Sequence, residues 1–236
     1  MTGTAPDYVL HYAPDNASLI VRLMLEELRL PYRTALVDRS ARQQDNAGYR
    51  TLNPAGLIPA LETPDGPIFE TAAILLWLSE RHGAMAPAPG SADRAGFLKW
   101  LFFTSNTLHA DLRMLFYPER HAGAPEAVPA FAAATRARIS RHLALLDAMA
   151  ATQPAWFRPD TPSVLTCYLP PLLRWVALYP QDTAGWFDLA AVPALHAVAA
   201  AMETRPSARA AAEAEGLGAT IFTHPSYACP PEGSAT

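Results

Sequence analysis

The sequence predicts an α/β domain followed by an all-α domain, and three observations carry that reading. Short strand-like runs occur at 8–12, 32–37, 60–63 and 68–69 and then cease. A stretch bearing Pro87, Pro89 and two glycines follows. Beyond it, apolar residues recur only at helical spacing. The expected boundaries are an α/β domain over 1–82, a linker over 83–91, a helical domain over 92–216 and a tail over 217–236.

Composition narrows the class. Half of the 236 residues are apolar and 17% are charged, which permits a sizeable core and argues against global disorder. A net charge of −4 argues against a nucleic-acid or anionic-membrane surface. No apolar run of membrane-spanning length appears, and residues 1–9 lack the basic and apolar segments of a secretory leader. Cys167 and Cys229 stand in no metal-binding or Cys-x-x-Cys spacing, so they read as reduced thiols of a cytoplasmic protein.

Taken in order, residues 8–12 read as a strand and 13–16 as a loop. Ile20, Leu23, Met24 and Leu28 then mark a helix that Pro31 stops. Residues 32–37 give a second strand, and strand-helix-strand at this spacing is a parallel βαβ unit. The polar stretch 38–49 holds one irregular helix. Ala60 to Thr63 and Ile68-Phe69, joined by Pro64-Asp65-Gly66-Pro67, form a hairpin, because proline presets φ and glycine supplies φ > 0. Thr71 sits at an N-cap position before the apolar run 72–78, in a helix over 71–82. A helix start of this kind is a natural anion site.

About five helices follow, over 93–116, 125–150, 163–179, 193–204 and 207–215. Pro170-Pro171 should bend or split the third of them. Residues 216–236 have no period, and either lie across the bundle through Phe222, His224 and Tyr227 or are loose.

The segment 53–61, Asn53-Pro54-x-Gly56-x-Ile58-Pro59-Ala60-Leu61, with Glu70-Thr71 heading the next helix, resembles the glutathione-binding segment of cytosolic glutathione S-transferases. The resemblance implies a thioredoxin-like N-terminal domain, a helical-bundle C-terminal domain and a homodimer. It implies that Pro59 is cis, a form that X-Pro bonds tolerate in tight bends. In the family, the residue before that proline, here Ile58, pairs its backbone with the cysteinyl part of glutathione. The pair Glu70 and Thr71 holds the γ-glutamyl end. Arg42, with Gln43, falls where a basic or amide residue meets the glycyl carboxylate. In this family's capping box, Ser/Thr-x-x-Asp, only Ser163 is kept and Thr166 stands at the acid's place, so the reciprocal bond is weakened or replaced.

The chemistry so implied needs glutathione as co-substrate and no metal. A thiol with pKa about 8.5 is only about 3% ionised at pH 7, and lowering it by ~2 units takes about 2.7 kcal/mol. One hydrogen bond to the anion supplies about 1.5–3 kcal/mol and a helix N-terminus ~0.3–1 kcal/mol, so one well-placed donor suffices. The loop 12–19, Tyr-Ala-Pro-Asp-Asn-Ala-Ser-Leu, is similar to the bacterial beta-class stretch Tyr-x-Pro-Gly-Ala-Cys-Ser-Leu, with Ala17 in place of the cysteine. Ser18, Asn16 and Tyr12 are the candidate donors in that order, although Asn16 and Ser18 also read as plain helix caps. His109 stands where the beta-class helix brings a histidine towards sulfur. Arg113 and Tyr117 follow on the same face as candidate lining for the second substrate.

The resemblance therefore implies a transferase joining glutathione to small apolar electrophiles, with no nucleic-acid or membrane partner. Two alternatives stay open. One is a glutathione-dependent peroxidase or disulfide reductase. The other is a non-catalytic binding or regulatory protein that keeps the fold.

Overall fold

Among the described residues, strands form only in the first third of the chain. The structure, a computed structural model, describes residues 7–235. Residues 1–6, most of the segment read as lacking a leader, lie outside the described residues, as does residue 236 at the end of the tail. The chain divides into two compact units: the part up to Ala86 joined by the part from Glu203 onward, and Pro87–Met202.

The first unit holds β1 (Tyr8–Tyr12), β2 (Tyr32–Leu36), β3 (Ala60–Thr63) and β4 (Gly66–Phe69) in one sheet of order β2-β1-β3-β4. β1 and β2 run parallel, as the strand-helix-strand spacing requires, and the other two pairings are antiparallel. Helix α1 (Ser18–Glu27) buries Leu19, Ile20, Leu23 and Met24, and α3 (Thr71–His82) buries Ile74, Leu75 and Leu78. Both lie against the sheet, whose alternating Tyr8, Leu10 and Tyr12 are buried. The short α2 (Ala47–Arg50) places Tyr49 in a separate cluster with Val37 and Ala60. This architecture is the thioredoxin-like arrangement expected from the sequence.

The second unit is helical: α4 (Arg94–Phe103), a π-helical turn over Thr104–His109, α5 (Ala110–Phe116), α6 (Val128–Ala151), α7 (Val164–Leu178) and α8 (Pro193–Glu203), whose final residue opens the segment grouped with the first unit. Two expectations for α7 narrow. The helix runs unbroken through Pro170 and Pro171. Its capping box is also complete: Ser163 Oγ accepts from the Thr166 N–H at 3.2 Å, and Thr166 Oγ1 accepts from the Ser163 N–H at 2.6 Å. A hydroxyl oxygen accepts as the missing carboxylate would, so threonine replaces the acid. Nearly every residue of α7 is buried, which makes it the core element of this unit.

The units divide the chain differently from the boundaries expected. Helix α9 (Pro206–Glu215) and the residues after it belong with the strands. Among the described residues the tail is not loose. Ile221 and Phe222 are buried, while Glu203 accepts from the N–H groups of Phe222 and Thr223. Among the described residues, no helix is long and apolar enough to cross a membrane.

Candidate functional site

Strand register brings four chain segments to one edge of the sheet. Tyr12 pairs with Leu36, His11 with Ala60, and Ala60 with Phe69. The loop after β1, the loop after β2, the approach to β3 and the exit from β4 therefore open side by side. These segments carry Asn16 and Ser18, Arg42, Ile58-Pro59, and Glu70-Thr71 respectively.

The approach to β3 is built by the Asn-Pro-x-Gly motif. The buried Asn53 donates from Nδ2 to the Leu57 carbonyl at 2.7 Å and accepts from the Ala55 N–H at 3.0 Å. Tyr49 Oη donates to the same Leu57 carbonyl at 2.6 Å. Gly56 has φ +64°, and a Cβ there would lie 3.0 Å from the Gln44 carbonyl and from the Arg50 guanidinium. The motif thus fixes the entry to Ile58-Pro59, whose peptide bond is cis. β3 starts only at Ala60, so Ile58 stands outside the ladder.

At the exit from β4, Glu70 takes φ +70° and occupies the N-cap position, which makes Thr71 the first helical residue and not the cap. No side chain caps α3. Its first N–H groups are therefore left for an anion, beside an exposed carboxylate that suits an ammonium group.

The loop after β1 sorts the three candidate donors. Ser18 is fully buried, donates to the Ala13 carbonyl at 3.0 Å and accepts from the Ala13 N–H at 3.3 Å. Its only proton is committed inside the loop, so the first choice from sequence serves as a clasp for that loop. Tyr12 Oη donates to Glu232 at 2.5 Å, and burial together with that carboxylate holds its phenol well above the ordinary range. Asn16 is partly exposed. Its Oδ1 accepts from the Ala17 N–H at 2.8 Å, which turns the Nδ2 protons away from the helix start. Among the described residues, Nδ2 has no hydrogen-bond partner.

Arg42, with φ +53°, directs its guanidinium to Asp45 through bonds of 2.8 and 3.0 Å. The nearby Arg39 donates to the Ala235 carbonyl at 2.6 Å, and Gly233 lies against Leu36 and Pro14. Residues 232–235 therefore run along the same strand-end edge. Sequence reading missed both Glu232 and Arg39, because nothing local in residues 229–235 announces a contact some 200 residues away.

In the second unit, His109 ends the π-helical turn. Its Nδ1 lies 3.0 Å from Tyr168 Oη, and its ring sits 5.8 Å from that of Trp175. Burial, with the Arg113 guanidinium second, pushes the imidazole pKa down to about 4. It is neutral at pH 7 and offers no positive charge. Arg113 is exposed, and Tyr117 carries the Arg120 guanidinium 4.7 Å above its ring.

The sheet, the cis proline and the uncapped α3 start define a thioredoxin-like protein with an open strand-end edge. The family model described as "Glutathione S-transferase, N-terminal domain" matches residues 17–81. A sphingomonad glutathione S-transferase solved with glutathione is 32% identical, covers 89% of this chain and 100% of its own, and superposes with a TM-score of 0.72. The bacterial beta-class glutathione S-transferase of Sphingomonas chungbukensis is 27% identical over 88% of this chain and 98% of its own, with a TM-score of 0.69. The disulfide-bond oxidoreductase YfcG of Escherichia coli is 34% identical over 101 residues, 40% of this chain and 46% of that protein. The chain belongs to the glutathione S-transferase family.

Proposed function

We propose that the protein binds glutathione at this edge and transfers it, as thiolate, to small apolar electrophiles. The observation that carries the reading is the register, which sets the approach to β3, with Ile58-Pro59, beside the exit from β4, with Glu70-Thr71, and the loop after β1 next to them. In this reading the γ-glutamyl carboxylate meets the uncapped start of α3 and Thr71, its ammonium meets Glu70, and the Ile58 backbone pairs with the cysteinyl residue. Asn16 Nδ2 donates to sulfur. Arg42, once released from Asp45, meets the glycyl end.

The sulfur attacks an electrophilic carbon, a C–S bond forms, and the leaving group departs with its bonding pair. The thiol proton has already left to solvent or to neutral His109, towards which the family resemblance points. Arg113 and Tyr117 line the second-substrate side in the same reading. The family resemblance further supports a homodimer, and the charge and cysteine content support a cytoplasmic protein without nucleic-acid or membrane partners.

Calorimetric titration with glutathione, followed by a chlorodinitrobenzene conjugation assay, tests the proposal. Saturable binding with turnover is expected, and no binding at millimolar glutathione overturns it. A second reading, disulfide reduction by two glutathiones without a protein cysteine, draws on the YfcG similarity and on Ala17. Turnover of glutathione–hydroxyethyl disulfide without conjugation would select it.

A further inference from the structure

The loop that aims Asn16 is held from the far end of its unit. Asp15 has φ +49°, a left-handed conformation uncommon for a residue with a side chain, and is 5% exposed. Its N–H donates to Glu215 Oε2 at 2.8 Å. The other carboxylate oxygen, Glu215 Oε1, accepts from Arg22 Nε at 2.8 Å. Arg22 in turn places its guanidinium 4.9 Å from the centre of the Tyr12 ring and donates to Tyr32 Oη at 3.3 Å.

Glu215 sits where a carboxylate is least welcome. It is fully buried and ends α9, where the helix's own partial charge is negative. A buried ion pair gains little over well-packed apolar side chains of the same volume. What an apolar side chain cannot do is accept the Asp15 N–H in a fixed direction while anchoring Arg22 beneath Tyr12.

We propose that Glu215 is a positioning residue for the thiol site: by holding the Asp15 N–H and Arg22 together, it fixes the loop conformation that points the Asn16 carboxamide at sulfur. The inference rests on the glutathione reading above and deepens it. The groups facing Glu215 are Arg22 of α1 and Asp15 of the loop, and Arg22 also faces Tyr12 and Tyr32.

The test compares Glu215→Gln with the wild type in two readouts: thiolate absorbance of bound glutathione against pH, and the pH profile of kcat/KM. The variant should raise the pKa of the bound thiol by about one unit and lower kcat/KM about fivefold at pH 6.5 and close to tenfold at pH 5.5, a loss that closes at alkaline pH where the thiol ionises unaided. A structural role alone would lower activity equally at every pH. In an Asn16→Ala background the same substitution should cost less than about twofold, since both act on one donor. Arg22→Lys, which keeps the charge but loses the Nε bond, should shift the thiol pKa in the same direction and serves if Glu215→Gln does not fold.

A wild type that leaves the thiol pKa at its free value defeats the glutathione reading itself. A wild type that lowers it, beside variants that lower it equally or lose activity additively with Asn16→Ala, defeats only the role of Glu215.

Discussion

At the scale of single residues, the loop after β1 gives Asn16 and Ser18, both candidate donors from the sequence, different surroundings. On the proposed reading, Asn16→Ala removes one bond to a developing thiolate, about 1.5–3 kcal/mol. It should raise the bound thiol's pKa by at least about one unit, read by thiolate absorbance. Ser18→Ala should leave that pKa in place and instead destabilise the fold by about 1–2 kcal/mol, seen as a lower urea midpoint, because Ala13 loses both of its partners. His109 contributes a pH dependence with a definite sign. Its folded pKa of about 4 lies below the ordinary 6.5, so the unfolded chain takes up the proton first. The contribution to stability is complete above pH 6.5 and is lost as pH falls towards 4, at most about 3 kcal/mol and less for a ring that is partly exposed. Urea midpoints measured across that range should fall for the wild type and stay flatter for His109→Gln.

At the scale of elements, local chemistry explains what could be read in advance. Helix periodicity, the Pro-Asp-Gly-Pro turn and the Asn53-Pro54-x-Gly56 bend are local patterns, and each formed where its residues demanded. The start of α3 was legible to within one residue, since Glu70 and not Thr71 holds the cap position. The π-helical turn over Thr104–His109 was not legible, because one extra residue per turn leaves no separate apolar period. The capping box of α7 resolves to replacement, since a hydroxyl and a carboxylate accept the same N–H. Thr166→Val removes that acceptor while keeping the shape, and should lower stability by about 1 kcal/mol. Thr166→Asp should hold the wild-type melting temperature.

At the scale of the whole molecule, what stayed hidden is long-range. Glu215 meets Asp15 and Glu232 meets Tyr12, and no pattern within a window of residues encodes either contact. Removing residues 229–236 should lower KM for glutathione while leaving kcat unchanged, since Tyr12 and Arg39 lose the tail that lies on them. Steady-state kinetics at varied glutathione would show it, and an unchanged KM would mean that the tail does not contend for the edge. On the proposed reading, the carboxylate resting on the Tyr12 phenol makes ligand capture an exchange, in which the tail's acidic side chain leaves as a tripeptide with two carboxylates settles. The heat recorded on titration is then the difference between two sets of contacts, and the shortened chain, with nothing to give up, should bind more exothermically.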